Sequence, residues 1–136
     1  MSAVLVDSNA LLDLMTEDVQ WFAWSSATIA EAAEHSRLII NPIVYAEISV
    51  RFSSIEAVNA AIPTTLFDRE PIPYEAAFLA GKAFSIYRKR GGKNRSTLPD
   101  FFIGAHASVA GYSLLTRDAT RYRTYFPRLA LIAPKR

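Results

Sequence analysis

Short apolar runs alternate with helical segments along this chain, and that alternation limits the possible folds more than any other feature. Five runs are too short for helices and consist mainly of β-branched or other apolar residues, which predicts strands at residues 3–6, 38–40, 64–67, 113–116 and 129–132. Strands that alternate with helices form parallel sheets covered on both faces. We therefore expect an α/β protein with three α/β/α layers and a central, mainly parallel sheet.

Start and stop signals place the helices between these strands. The Asp-Ser-Asn sequence at 7–9 is a typical helix start, Pro42 suits a first helical turn, and the glycine pair at 91–92 suits a helix end. Further helices are predicted at residues 19–36, 42–52, 54–61, 73–90, 99–110 and 119–125. The chain has 136 residues, 51% of them hydrophobic, so a single domain spanning 1–136 can bury an ordinary core.

Composition argues against several classes of protein. The sequence contains no cysteine, so it offers neither a disulfide scaffold nor a thiolate metal site, and we expect a cytoplasmic location. Asp7 and Asp13 interrupt the apolar N-terminal stretch, which argues against a signal peptide. No apolar run reaches the length of a membrane span, so we expect no membrane association.

Charge is divided unevenly between the two parts of the chain. Residues 81–136 hold twelve Lys or Arg but only two carboxylates, Asp100 and Asp118, whereas residues 1–80 hold eleven Asp or Glu and three Arg. A basic surface attracts a polyanion such as a nucleic acid. The acids retained in the basic part are therefore candidate ligands for a cation that acts on the polyanion.

Two of the acids occupy positions where a parallel sheet collects ligands. Asp7 and Asp118 follow predicted strands, and the carboxyl ends of parallel strands meet in a crevice where the strand order switches. Asp100 lies in the first turn of the helix before the fourth strand, and Glu47 lies inside a predicted helix, so the pattern alone does not bring them to that crevice. Asp13 is predicted to be an exposed helix residue, with a peripheral role near the pocket left open.

The chain resembles the PIN-domain nucleases, most closely the VapC-type toxins of bacterial toxin–antitoxin pairs. Four motifs carry the resemblance, in this order: Val-Asp7-Ser-Asn9, a helical Glu47, Pro-Asp100-Phe-Phe-Ile-Gly-Ala and Leu-Thr116-Arg-Asp118. It covers nearly the whole chain and implies a PIN-like fold, cleavage of RNA with Mg²⁺ or Mn²⁺, a homodimer and a cognate antitoxin partner. The implied metal-binding and catalytic residues are Asp7, Glu47, Asp100 and Asp118, supported by the polar Asn9 and Thr116.

Carboxylates gathered in one pocket need either protons or a cation. Two unit charges about 4 Å apart repel by roughly 4 kcal/mol at an effective dielectric constant near 20, and a hard divalent cation relieves that repulsion. Such an ion can activate water and stabilise a leaving alkoxide, so no side-chain nucleophile is required. Zinc is disfavoured because thiolates are absent and the two histidines, His35 and His106, are isolated.

Each acid also has an ordinary structural interpretation. Asp7, Asp100 and Asp118 could simply interact with helix N-termini. Glu47 could pair with Arg51 one helical turn later on an exposed face. The ordered set of four acids, rather than any one of them, favours a metal site.

A cluster of cations precedes Asp100. Residues 88–95 contain five cations in eight positions, which is more than a helix end requires. Cations so placed suit contact with nucleic-acid phosphates. The candidate RNA contacts are Arg88, Lys89, Arg90, Lys93, Arg95, Arg117 and Arg121. Four tyrosines could stack on unpaired bases, although core packing is their commoner role: Tyr87, Tyr112, Tyr122 and Tyr125.

The leading prediction is a metal-dependent endoribonuclease that acts as a toxin, and its main alternative is a catalytically silent PIN-like module that binds RNA or protein. Two other enzyme classes fit less well. A phosphatase with an aspartyl nucleophile would usually carry a second Asp where this chain has Asn9. A nucleotide-binding domain would need a glycine-rich loop after the first strand, and residues 8–10 contain no glycine.

Overall fold

Five strands form one parallel sheet in the structure, a computed structural model that describes residues 2–94 and 97–135. The strands are β1 (Ser2–Val6), β2 (Ser36–Ile40), β3 (Phe67–Arg69), β4 (Ser113–Leu115) and β5 (Leu131–Ile132). Their order across the sheet is β3-β2-β1-β4-β5, and every neighbouring pair is parallel. The mainly parallel sheet expected from the sequence is confirmed.

Helices connect the strands and cover both faces of the sheet, which confirms the three-layer prediction. In the described residues they are α1 (Ser8–Met15), α2 (Phe22–His35), α3 (Pro42–Ser49), α4 (Ile55–Ala61), α5 (Tyr74–Lys89), α6 (Leu98–Ala110) and α7 (Thr120–Tyr125). None of these helices is both long and apolar enough to cross a bilayer.

Local sequence explains several of the element boundaries. Asn41 caps α3 by accepting a hydrogen bond from a backbone N–H three residues later, and Pro42 occupies the first turn. Gly111 follows α6 with a φ of 75°, a left-handed conformation that favours glycine. Residues 4–6 and 38–40 are buried on both faces, as central parallel strands require.

The third strand lies later in the chain than the apolar pattern predicted. The prediction was residues 64–67, whereas β3 is Phe67–Arg69. The backbone N–H groups of Leu66 and Phe67 both bond to the carbonyl of Pro63, so residues 64–66 form a turn. Phe67 is the buried side chain of β3, and it is the one residue that the predicted strand and β3 share.

The strand order determines where a site can form. β1 lies at the centre, with β2 and β3 on one side and β4 and β5 on the other. The order therefore switches between β1 and β4, and a crevice is expected at the carboxyl ends of these two strands. Asp7 directly follows β1, and Thr116 directly follows β4.

Candidate active site

A cavity of about 470 Å³ lies at the carboxyl ends of β1 and β4. All four acids selected from the sequence line it: Asp7, Glu47, Asp100 and Asp118. The other lining residues include Ser8, Asn9, Tyr87, Arg121, Tyr122 and Tyr125. The cavity lining is therefore rich in both carboxylates and tyrosines.

Asp7 ends β1 and is almost fully buried, with 3% of its surface exposed. Its backbone N–H donates to the carbonyl of Leu115 at 2.9 Å, which extends the pairing of β1 with β4. Its side chain forms no capping hydrogen bond with α1. Instead Oδ2 accepts hydrogen bonds from the hydroxyls of Thr116 and Tyr122, each at 2.9 Å. The simple capping interpretation of Asp7 is therefore wrong.

Thr116 links the segments that follow β1 and β4. Its hydroxyl is fully buried and donates to Asp7, while it accepts from Asn9 Nδ2 at 3.1 Å and from the backbone N–H of Asp118 at 3.2 Å. Asn9 Oδ1 accepts in turn from the backbone N–H of Arg117 at 3.3 Å. These contacts fix the acid-bearing loop after β4 relative to the start of α1.

Glu47 reaches the same cavity from α3. Its Oε1 accepts a hydrogen bond from the hydroxyl of Ser8 at 2.7 Å, which joins α3 to the residue next to Asp7. The described residues contain no ion pair between Glu47 and Arg51. The exposed helical pair that the spacing allowed is therefore not formed.

The two acids of the basic part come from separate elements. Asp100 lies in the first turn of α6, and its Oδ2 accepts a hydrogen bond from Arg121 Nη1 at 2.8 Å. Asp118 is exposed and lies in the loop before α7. The cavity thus receives one acid each from the end of β1, from α3, from α6 and from the loop after β4.

Burial and mutual repulsion raise the pKa values of three of these acids. Burial raises the pKa of Asp7 to about 7, with further increases from the charges of Asp100 and Glu47. Burial, followed by the charge of Asp100, raises the pKa of Glu47. Burial also raises the pKa of Asp100, to which Asp118 adds and which the Arg121 contact opposes. Carboxylates that perturb one another in this way lie close together and favour a cation among them.

The donor set suits a hard divalent cation, although the side chains are not gathered around one point. Carboxylate oxygens are the ligands that Mg²⁺ and Mn²⁺ prefer. Within residues 2–94 and 97–135, no three Asp, Glu, His or Cys side chains are close enough together to hold an ion. His106 lies outside the cavity lining, with Nδ1 3.1 Å from Asn41 Nδ2. The chemistry of the donors therefore fits such an ion.

Comparison with known protein families identifies the chain. Residues 4–127 match the PIN domain family, and this span includes all four acids of the cavity. The chain is a PIN domain protein. The match extends from within β1 to just beyond α7, so it contains the whole acid-bearing edge of the sheet.

Solved structures of VapBC proteins contain chains with a similar fold. A chain of VapBC2 from Rickettsia felis, bound to a promoter DNA fragment, is similar with a TM-score of 0.73 and 15% identity, over 96% of this chain and 98% of that one. For VapBC-1 from nontypeable Haemophilus influenzae the TM-score is 0.72 and the identity is 19%, over 96% of this chain and 97% of that one. For DNA-bound VapBC from Salmonella typhimurium the TM-score is 0.71 and the identity is 16%, over 98% of each chain. No curated protein matches this sequence.

The cations near the end of α5 lie outside the cavity lining of this PIN domain. Arg88 and Arg90 each lie over an aromatic ring, at 6.0 Å and 5.5 Å from the ring centroid. Lys89 and Lys93 are exposed. Arg95, the remaining candidate of this run, lies outside the described residues. Arg121 is thus the candidate RNA contact that the structure places within the cavity lining.

Arg117 is engaged in a pair that the sequence did not indicate. Its Nε lies 2.9 Å from Asp13 Oδ2, and its guanidinium lies 5.8 Å from the ring centroid of Trp21. Asp13 is 2% exposed and also accepts from the hydroxyl of Ser25 at 2.8 Å, so the prediction that Asp13 is exposed was wrong. Its counter-cation comes from 104 residues further along the chain, and no local pattern reveals such a partner.

Two hydroxyl groups that orient the acids were not identified from the sequence. Ser8 binds Glu47, and the only local signal was its position beside Asp7. Tyr122 was considered for base stacking, but its ring is buried and its hydroxyl binds Asp7. The Tyr122 ring packs against Gly104, where an added Cβ would lie 3.0 Å from Tyr122 Cδ1 and 2.6 Å from Phe126 Cε2. Glycine at this position therefore leaves room for the tyrosine that holds Asp7.

Proposed function

We propose that this PIN domain protein is a metal-dependent endoribonuclease that hydrolyses RNA phosphodiester bonds as the toxin of a toxin–antitoxin pair. One observation carries the proposal, namely that four acids from four separate elements line one cavity at the switch point of the sheet. Folding alone gives no reason to collect four like charges, because their repulsion opposes it. Such a cluster is explained when a cation is part of the working site.

The proposed ligands for Mg²⁺ or Mn²⁺ are Asp7, Glu47, Asp100 and Asp118. A bound ion of this kind would activate a water molecule and stabilise charge on the phosphate and the leaving oxygen. Thr116 and Tyr122 orient the carboxylate of Asp7, and Ser8 orients Glu47. Hydrogen-bond partners of this type restrict the rotation of metal-binding side chains and so favour binding. Two of the four proposed ligands, Asp7 and Glu47, therefore have partners that restrict their rotation.

Recognition of RNA is proposed to depend on the basic residues beside the cavity. The exposed cations near the end of α5 suit the sugar–phosphate backbone, and their contribution should weaken as salt concentration rises. The proposed contacts are Arg88, Lys89, Arg90, Lys93 and Arg95, with Arg121 inside the cavity. Arg117 is not among them, because its guanidinium binds Asp13.

The similarity to chains of VapBC complexes supports the toxin–antitoxin part of the proposal. We propose that a cognate antitoxin protein binds this chain and covers the acidic cavity, and that the chain acts in the cytoplasm as a homodimer. Sedimentation of the purified chain at micromolar concentration would test the dimer, since a monomer under these conditions contradicts it.

Cleavage assays on labelled single-stranded RNA, with Mn²⁺ or with EDTA, would test the nuclease activity. Asp7→Asn and Asp100→Asn should reduce cleavage by more than the roughly 10- to 100-fold typical when a metal ligand loses its hydrogen-bond partner. Thr116→Val, which removes such a partner from Asp7, should fall within that range. Glu34→Gln is the matched control, because it neutralises an exposed acid near the end of α2.

Three outcomes would contradict parts of the proposal. Normal cleavage by Asp7→Asn or Asp100→Asn would remove those residues from the site. Cleavage of DNA as efficient as that of RNA would contradict the toxin assignment. Tight RNA binding with neither cleavage nor metal dependence would identify a catalytically silent module instead.

A further inference from the structure

Arg121 places a permanent positive charge among the four acids. Its Nη1 lies 2.8 Å from Asp100 Oδ2, and the two side chains are 33% and 34% exposed. A guanidinium remains protonated in proteins. Among the described lining residues of the cavity, Arg121 is the only Lys or Arg. The acidic cavity therefore already contains one cation of its own.

The Asp100 oxygen that accepts the hydrogen bond from Arg121 is not free to bind a metal ion. One oxygen of this carboxylate is taken by the guanidinium, which agrees with the finding that no three acids of the described residues are gathered for a metal. A divalent ion and a guanidinium repel each other and compete for the same carboxylate oxygens. Binding of the ion is therefore expected to displace Arg121.

Tyr87 provides a second contact that can hold the guanidinium after its release from Asp100. The Cζ atom of Arg121 lies 5.7 Å from the ring centroid of Tyr87, which is within the range of a cation–π contact. The Tyr87 hydroxyl accepts a hydrogen bond from the backbone N–H of Asn94 at 3.2 Å, which restrains the ring. Tyr87 also lines the cavity, so an arginine stacked on it stays beside the acids.

We propose that Arg121 is a counter-cation that neutralises Asp100 before a divalent ion binds and that, once released from Asp100, keeps its contact with Tyr87 and binds a phosphate of the RNA. This inference rests on the proposed function of the site. The planar guanidinium suits a phosphate because it donates two parallel hydrogen bonds. A purely structural role explains the pair poorly, since ion pairs with partly exposed partners contribute little to stability.

Calorimetric titration of the full chain with Mn²⁺ at pH 8 would test the competition. Arg121→Gln removes the charge with little change in size and should tighten the Kd for Mn²⁺ by about 5- to 10-fold. Arg121→Lys keeps the charge and should remain within about twofold of wild type. Arg123→Gln changes the net charge equally from an exposed position of the same helix, so it should also remain within about twofold.

Cleavage kinetics at saturating Mn²⁺ would test the second part of the inference. Arg121→Gln should raise the KM for RNA by about tenfold while its affinity for Mn²⁺ improves. A general loss of structure would weaken the binding of both Mn²⁺ and RNA, so tighter Mn²⁺ binding together with a higher KM for RNA is not expected from it. Circular dichroism of each variant would verify that the fold is retained.

The outcomes separate this inference from the proposed function. Unchanged or weaker Mn²⁺ affinity in Arg121→Gln, with normal binding by wild type, would overturn only the counter-cation role, because Arg121 would then be orienting Asp100 as a ligand. An unchanged KM would overturn the phosphate contact. Absence of Mn²⁺ binding in wild type would overturn the proposed metal site and this inference together.

Discussion

Asp7 and Asp13 are both buried aspartates near the start of the chain, yet in the part of the chain that the structure describes only Asp13 has a counter-cation. Asp13 is bound by the guanidinium of Arg117, whereas the carboxylate of Asp7 receives hydrogen bonds from the neutral hydroxyls of Thr116 and Tyr122. Within the described residues no buried side-chain polar atom lacks a hydrogen-bond partner, so both acids are satisfied in that respect. Hydrogen bonding and charge neutralisation are separate requirements of a buried acid. Under the proposed function, a bound cation would meet the second requirement for Asp7.

Removal of the counter-cation of Asp13 should produce the largest loss of stability. Arg117→Ala leaves a buried carboxylate with the hydroxyl of Ser25 as its side-chain donor. We expect the free energy of unfolding to fall by about 2 to 4 kcal/mol, near the lower end for buried pairs because Arg117 is partly exposed. Urea denaturation at pH 7 measures this change. The double variant Asp13→Asn with Arg117→Gln should recover part of the loss, and a loss below about 1 kcal/mol would show that the pair acts as a surface ion pair.

Neutralisation of Asp7 should have the opposite effect in metal-free protein. Burial raises the pKa of Asp7 from 3.8 to about 7, so the folded chain holds this proton more tightly than the unfolded chain. Stability is therefore lost as pH rises from about 4 to about 7, and the loss is complete above that range. We expect Asp7→Asn to be more stable than wild type by about 1 to 3 kcal/mol at pH 8 and nearly equal to it at pH 4.

Urea denaturation in EDTA at the two pH values tests this sign. A stabilised Asp7→Asn variant that has also lost cleavage would separate the function of Asp7 from any contribution to folding. Equal stability of the two proteins at pH 8 would mean that the charge of Asp7 is already neutralised within the fold, and the contrast with Asp13 would disappear.

A divalent ion should supply the positive charge that neutralises the Asp7 carboxylate. At Mn²⁺ concentrations tenfold above Kd, we expect wild type to gain about 1.4 kcal/mol of unfolding free energy. The gain should be much smaller in Asp7→Asn and unchanged in Glu34→Gln. Thermal unfolding with and without Mn²⁺ measures it, and an equal gain in Asp7→Asn would place the ion elsewhere.

The smallest effect on stability is expected at the pair inside the cavity. Arg121→Gln should change the free energy of unfolding by less than about 1 kcal/mol, because Arg121 and Asp100 are both partly exposed. The measurement is the same urea denaturation used for Arg117→Ala. A loss of unfolding free energy as large as that of Arg117→Ala would mean that Arg121 stabilises the fold as much as Arg117 does. That result would contradict the contrast between the two arginines.

The sequence predicted the parts of the site that depend on strand ends. Asp7 and Asp118 follow strands with clear apolar patterns, and the rule for parallel sheets then places both at one edge. Glu47 was ambiguous, because the direction in which a helix residue points depends on how the helix packs. The hydroxyl of Ser8 resolves that direction, and this contact spans 39 residues.

Other features were not predictable because their causes are not local. The pairing of Asp13 with Arg117 joins residues 104 positions apart, so Asp13 resembled any exposed helix acid. The start of β3 was predicted too early because residues 64–66 form a turn that is stabilised by hydrogen bonds to the carbonyl of Pro63. The Arg121–Asp100 contact is likewise a product of tertiary packing, since it joins α7 to α6.

The hydrogen bonds of Asp7 also set the order of events during protein synthesis. Its two hydroxyl donors, Thr116 and Tyr122, are added 109 and 115 residues after it. A growing chain can contain β1 and β2 but has neither β4 nor these donors, so its acids remain apart. The ribosome must therefore release nearly the whole domain before the cavity with its four acids can assemble, and incomplete chains should lack the proposed nuclease activity.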